Sequence, residues 1–292
     1  HGNIEFLKAL AVSCNVYFGQ LGLELGADSF KQLVKDGVEM GWPGWYEPGK
    51  PNSRDLALTA FGQHASMMSV GQAARMVATI GSGGVYRKCP PSMELSAKCE
   101  EKQVVKDGHV LAPVLAGMEQ VMLAGTGRGL AISPGLPPGV RVYGKTGTAD
   151  AIGIDEELPW GVEKGVYGKP HAWFVAIVEP ITNGPSCQPT GKKRLAFAGV
   201  VPRSGMGAVF AGPAVAEMIG AAYKLGYFGD PKELEKAAQQ QPPAVALPLP
   251  EGAAPVTEPG GANSAPSPVP TPGGPPVAAP PRPAASPTPS PQ

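Results

Sequence analysis

Apolar residues recur at helical spacing near the start of the chain, where Ile4, Leu7, Leu10 and Ala11 share one face behind Asn3 as a candidate N-cap. This pattern predicts a short helix that ends at Ser13-Cys14-Asn15. A stronger helix is predicted from Ser69, with Val70, Ala73, Ala74, Val77 and Ala78 aligned and Gly81-Ser82-Gly83-Gly84 as its stop. Two more follow Pro113, with Val114, Met118, Val121 and Met122 in line, and Pro213, with Val215, Met218, Ile219 and Ala222 in line. Strands are predicted at Val140-Arg141-Val142-Tyr143, from Trp173 to Val178 and from Leu195 to Val201. The last two are continuous apolar runs suited to a sheet covered on both faces. A Gly/Pro-rich loop joins them, which favours antiparallel pairing over a βαβ crossover. The fold class expected is mixed α/β (α+β), a largely antiparallel sheet flanked by helices, with no internal repeat.

The periodic pattern stops at Tyr227-Phe228-Gly229. Asp230 can cap and Pro231 can open a short helix over Glu233 to Gln240. About half of the 35 prolines then fall after Gln241. The organisation expected is a folded domain over residues 1–228, a short helix or linker over 229–241, and a Pro/Ala-rich disordered tail over 242–292, which has too few bulky apolar groups to offset ordering entropy.

At 292 residues and 42% hydrophobic, the chain is long enough for a substantial core. Twenty-four basic residues balance twenty-four acidic ones, so a nucleic-acid partner gains no long-range attraction and none is expected. Cys14, Cys89, Cys99 and Cys187 lack the spacing of a zinc site, and no metal or cofactor is expected. Cys89 and Cys99 either close a short loop in an oxidising compartment or stand as two free thiols. No stretch reaches the roughly 18 apolar residues of a membrane span. The chain opens at His1 without a signal-peptide pattern, which suggests a piece of a longer protein.

Two short motifs carry the chemistry: Ser13-Cys14-Asn15 at the end of the first helix, and Lys145-Thr146-Gly147-Thr148-Ala149 at the end of a strand. They match two of the three signatures of penicillin-recognising serine acyl enzymes, S-x-x-K, S-D-N and K-T-G. The run from Gly2 to Leu10 before Ser13 resembles the approach to this motif in high-molecular-mass, class B penicillin-binding proteins. So do Phe61-Gly62-Gln63, the segment Ser69-Val70-Gly71-Gln72-Ala73-Ala74 with its small-residue exit, Gly125-Thr126-Gly127, His171-Ala172-Trp173-Phe174 and Gly207-Ala208-Val209-Phe210, all in that family's order. The resemblance covers residues 1 to 226. It implies the β-lactamase/transpeptidase fold, incomplete at its N-terminus, and a D,D-transpeptidase that cross-links peptidoglycan stem peptides through a serine acyl-enzyme.

By that resemblance Ser13, Asn15 and Lys145 are the candidate catalytic residues, and Thr146, Gly147 and Thr148 the candidate substrate-binding ones. A strand ending in K-T-G-T offers main-chain donors and acceptors to an extended peptide or a lactam, and Gly147 permits close approach. The ammonium of Lys145 and the hydroxyls of Thr146 and Thr148 suit the terminal carboxylate that a D-Ala-D-Ala stem peptide and a β-lactam both present. The Thr148 N–H is implied as an oxyanion donor, Ser13 as a proton relay to the leaving amine, and the Asn15 amide as a holder of the substrate peptide bond.

No serine in the sequence has a lysine three residues on, so the nucleophile and its base are absent. In the family that pair precedes S-x-N, and here it is expected before His1, as is an anchor to the extracytoplasmic face of the inner membrane. The competing readings are a non-catalytic β-lactam sensor or cell-wall scaffold, whose Pro-rich tail would dock wall or division proteins, and a D,D-carboxypeptidase or β-lactamase. Gly125-Thr126-Gly127-Arg128-Gly129 follows a helix and has no lysine after it, so a turn is expected rather than a nucleotide loop. His171 is expected to be structural, His64 to border the substrate region, and Trp42 and Trp45 to lie in a surface loop.

Overall fold

Three strands form the central sheet: β3 (Val140–Ala149), β4 (His171–Pro180) and β5 (Leu195–Val201), in the order β3-β4-β5 with both pairings antiparallel. The computed structural model describes residues 2–35, 52–63, 66–89, 98–131, 136–150, 169–188, 193–242 and 244–248. Before the sheet come α1 (Phe6–Ala11), α2 (Asn15–Lys35), α3 (Ser53–Ala60), α4 (Val70–Gly81), the hairpin β1 (Val85–Lys88) and β2 (Glu100–Gln103), α5 (Ala112–Leu123) and α6 (Arg128–Ala131). After it come α7 (Gly207–Lys224) and α8 (Pro231–Gln240). The mixed α/β, antiparallel class expected from the residues is the one found. Trp42, Trp45, His64 and the tail beyond residue 248 lie outside the described residues.

β4 is apolar on both faces because both are covered. Its alternate residues Phe174, Ala176 and Val178 join Val215, Ile219 and Tyr223 of α7, together with Val121 and Met122 of α5. On the other face Ile177 packs with Val77 of α4, Leu115 and Met118 of α5, and Tyr143 of β3. Burying a side chain such as Phe174, only 2% exposed, contributes about 1.5–3 kcal/mol. The helix over 231–240 docks through Leu234, which is buried in the first of these clusters.

Local chemistry sets the boundaries. Ser69 and Gln72 form a reciprocal capping box at the start of α4. α7 begins at Gly207 and carries Pro213 inside it, so it starts earlier than the proline suggests. Its first residue abuts the β3 and β4 backbones at Gly147 and Trp173 so closely that a Cβ at Gly207 would overlap them. A disulfide joins Cys89 to Cys99 across the end of the β1–β2 hairpin, resolving the alternative that the spacing leaves open.

A buried ionic cluster locks the lower half of the sheet. The Glu179 side chain is fully buried and accepts from Tyr143 Oη at 2.6 Å, Arg141 at 3.2 Å and Arg194 Nε at 2.8 Å. Arg194 also donates to Gly81 O at 2.9 Å, tying α4 to the sheet. Burial, then the bond to Glu179, pushes the Tyr143 hydroxyl well above its ordinary range.

Candidate active site

Two glycines in the upper half of β3 let neighbouring side chains close on it. Gly144 leaves room for Met122 and Phe174, and Gly147 for Trp173. β3 is an edge strand among the described residues, with β4 on one side only. Thr148 O accepts from Gln63, outside the sheet, and Thr146 O accepts from the ammonium of Lys145 rather than from β4. Residues 146 and 148 therefore turn their backbone groups away from β4, as strand parity requires of alternate residues.

The S-x-N segment reaches this edge through tight packing beneath it. Leu10 of α1 lies over Gly117 of α5, and Gly125 sits against the Ala11 carbonyl, where a Cβ would collide. Thr126 N–H donates to Ala11 O at 3.0 Å. The chain then turns between α1 and α2 with Ser13 at φ 55, a left-handed conformation that costs a non-glycine residue about 1–3 kcal/mol. Cys14 is buried, and its carbonyl receives Phe18 N–H at 3.2 Å at the start of α2. The motif is thus a strained joint between two helices rather than the end of one.

The joint brings Ser13 to Lys145, whose Nζ donates to Ser13 Oγ and, at 2.7 Å, to Thr146 O. Desolvation pushes the Lys145 ammonium down to about 8 from its ordinary 10.5. Its partners among the described residues are a hydroxyl and a carbonyl, and neither neutralises it. Thr146, buried, shares a 2.6 Å hydrogen bond with Thr126. Gly147 is partly buried, whereas Thr148 and Asn15 are exposed, Asn15 as the first residue of α2.

Two residues at this edge stand in segments that resemble the family but were given no role from the sequence. Thr126, in the Gly125-Thr126-Gly127 turn, bonds the side chain of Thr146. Gln63 donates to Thr148 O and accepts Asp150 N–H, both at 3.0 Å. The G-T-G and G-Q pairs are the only local marks of either. His171 accepts Arg203 N–H at 3.3 Å on Nδ1, a contact that joins β4 to the turn after β5.

A cationic, partly buried lysine beside a serine on an open strand edge, in a helix-flanked antiparallel sheet, defines a chain of the β-lactamase/transpeptidase fold. Structural likeness agrees. Penicillin-binding protein PBP2 from Helicobacter pylori superposes with a TM-score of 0.58 at 21% identity, covering 78% of this chain and 41% of that one. PBPA from Mycobacterium tuberculosis superposes with 0.52 at 24% identity, covering 76% and 52%. The same mycobacterial protein as an imipenem acyl-enzyme complex gives 0.51 at 23% identity, covering 75% and 49%. The family model for the penicillin binding protein transpeptidase domain matches residues 1–211, and the chain belongs to that family. Among curated relatives, stage V sporulation protein D of Bacillus subtilis is 26% identical over 172 residues, which is 52% of this chain and 26% of that protein. Peptidoglycan D,D-transpeptidase PbpA of M. tuberculosis is 25% identical over 190 residues, 60% of this chain and 36% of that protein. The chain thus spans about a quarter to a third of the curated relatives it matches.

Proposed function

We propose that these residues form the carboxylate-binding and oxyanion side of a peptidoglycan D,D-transpeptidase site, which takes a stem peptide ending in D-Ala-D-Ala and is acylated by β-lactams. The observation that carries this reading is the meeting of Ser13 and Lys145 beside the outward-facing edge of β3. A desolvated ammonium with no anionic partner among the described residues favours an incoming carboxylate, which restores its charge balance. In this reading the hydroxyls of Thr146 and Thr148 complete the carboxylate site. In this role Thr148 N–H receives the oxygen of the scissile carbonyl, an interaction worth roughly 3–4 kcal/mol at comparable sites. Because Lys145 donates to Ser13, the serine's own proton is free to pass to the amine that leaves as the acyl bond to the terminal D-Ala breaks. The nucleophile's oxygen bonds to the carbonyl carbon as an ester, and its displaced proton replaces the one that Ser13 gave up. The amine of a second stem peptide then takes the acyl group, and its proton regenerates the hydroxyl of the nucleophile. In this role Asn15, exposed at the first residue of α2, holds the substrate amide.

The nucleophile of this scheme is not set up within the 292 residues by a serine with lysine three positions on. The second reading, a non-catalytic binder of β-lactams or a wall scaffold, is favoured only if the full-length gene product lacks that motif as well. The Cys89–Cys99 disulfide supports placement on the oxidising, extracytoplasmic side of the envelope. The test is labelling of the full-length gene product with a fluorescent penicillin. Covalent labelling that Lys145→Ala weakens at least tenfold is expected. Reversible binding without a covalent adduct selects the second reading, and labelling undiminished in Lys145→Ala overturns the site.

A further inference from the structure

One contact on the β3 edge has no part in the carboxylate site. Gln63, in the turn after α3, spans two backbone groups of the strand, giving its Nε2 hydrogen to Thr148 O and taking Asp150 N–H on Oε1, each at 3.0 Å. The orientation of the carboxamide is chemically forced, since the reverse would set donor against donor and acceptor against acceptor. Its footprint adjoins the proposed oxyanion donor. Thr148 N–H and Thr148 O lie on the same side of the strand, and Gln63 holds the second of them.

An acyl donor with its carboxylate at Lys145 and Thr146 and its scissile carbonyl at Thr148 N–H runs N to C against the direction of β3. In an antiparallel pair, a residue whose carbonyl accepts from its partner returns its own N–H to the partner's carbonyl. The N–H of the donor residue must therefore land on Thr148 O, the atom that Gln63 occupies. We infer that Gln63 is a specificity-determining residue that competes with the backbone amide of the acyl donor for Thr148 O. Donors carrying an N–H at that position must displace the carboxamide. Donors without one bind alongside it. The inference rests on the reading of the β3 edge given above.

The test uses the full-length gene product and two variants, Gln63→Ala and Gln63→Glu. The second keeps the size of the side chain and an acceptor for Asp150 N–H but cannot donate to Thr148 O, so it carries the test should the alanine variant fail to fold. Acylation rates are measured with benzylpenicillin, whose acylamino group supplies the N–H, and with a carbapenem, whose hydroxyethyl group does not. Removing one competing hydrogen bond is expected to raise the penicillin-to-carbapenem rate ratio about 3- to 10-fold in both variants. A ratio that stays constant while both rates fall together shows that Gln63 only braces the strand, and overturns the inference, as does a ratio that drops. Absence of labelling of the unsubstituted protein by either compound overturns the reading of the site itself, and this inference with it.

Discussion

Replacing Lys145 with methionine should make the free protein more stable while destroying its site. The ammonium is pushed down to about 8 from an ordinary 10.5 by desolvation alone, so at neutral pH the folded chain keeps a charge that it would hold more cheaply in water. Each tenfold displacement of a protonation equilibrium is worth about 1.4 kcal/mol. The native state therefore carries about 2–3 kcal/mol of unfavourable charging at pH 7, with the side chain partly exposed. The sign follows from proton linkage. Between about 8 and 10.5 the unfolded chain holds more protons at this position than the folded one, so stability rises with pH through that window and falls as pH drops towards 8. Urea unfolding at pH 7 and pH 10 measures it. The unmodified chain should gain about 2 kcal/mol from Lys145 over that interval, and Lys145→Met should lack that increment. Tyr143 and Cys187 also titrate from raised values, but they do so in both chains and cancel in the comparison. Parallel pH profiles for the two chains would refute the claim that Lys145 is charged at a desolvation cost.

Other substitutions probe the scaffold. Glu179→Gln leaves Arg141 and Arg194 facing a neutral group in a fully buried position and should cost about 3–5 kcal/mol in urea unfolding. Cys89→Ser opens the loop closed by a disulfide ten residues apart in sequence and should cost about 2–3 kcal/mol, an effect that reducing agent reproduces in the unmodified chain. Thr126→Val preserves shape but removes the 2.6 Å bond to Thr146, so penicillin labelling of the full-length product should slow about 3- to 10-fold with little change in melting temperature.

The parts of the fold legible in the residues are those with a one-dimensional signature. β4 and β5 are unbroken apolar runs because helices cover both faces, and α4 advertises itself by its capping box and its glycine exit. β3 reads as a strand only over 140–143 because its upper half trades apolar side chains for Gly144 and Gly147, which Met122, Phe174 and Trp173 approach closely. α2 was not evident because Gly19, Gly22 and Gly26 look like breakers. Gly22 instead lets α2 lie against Ala60 of α3, and Gly26, at φ 73, marks a kink within it. The β1–β2 hairpin has no apolar alternation, since all four β2 side chains are exposed, and a disulfide closes it. At the site, Ser13 and Lys145 stand in recognisable motifs. Thr126 and Gln63 also lie in segments that resemble the family, but their contacts were not legible, because each acts on a strand 20 or 85 residues away through a single side chain, and such a contact leaves no periodic trace.

Titration of an isotope-labelled sample of this chain with a peptide ending in D-Ala-D-Ala, followed by backbone amide resonances, tests most directly whether Ser13 and the β3 edge form one carboxylate-binding cleft. The largest changes are expected at Ser13 to Asn15 and Lys145 to Thr148, with the β5 strand unmoved, and they should vanish when the peptide's terminal carboxylate is amidated. Changes confined to another surface, or equal changes with the amidated peptide, would contradict it.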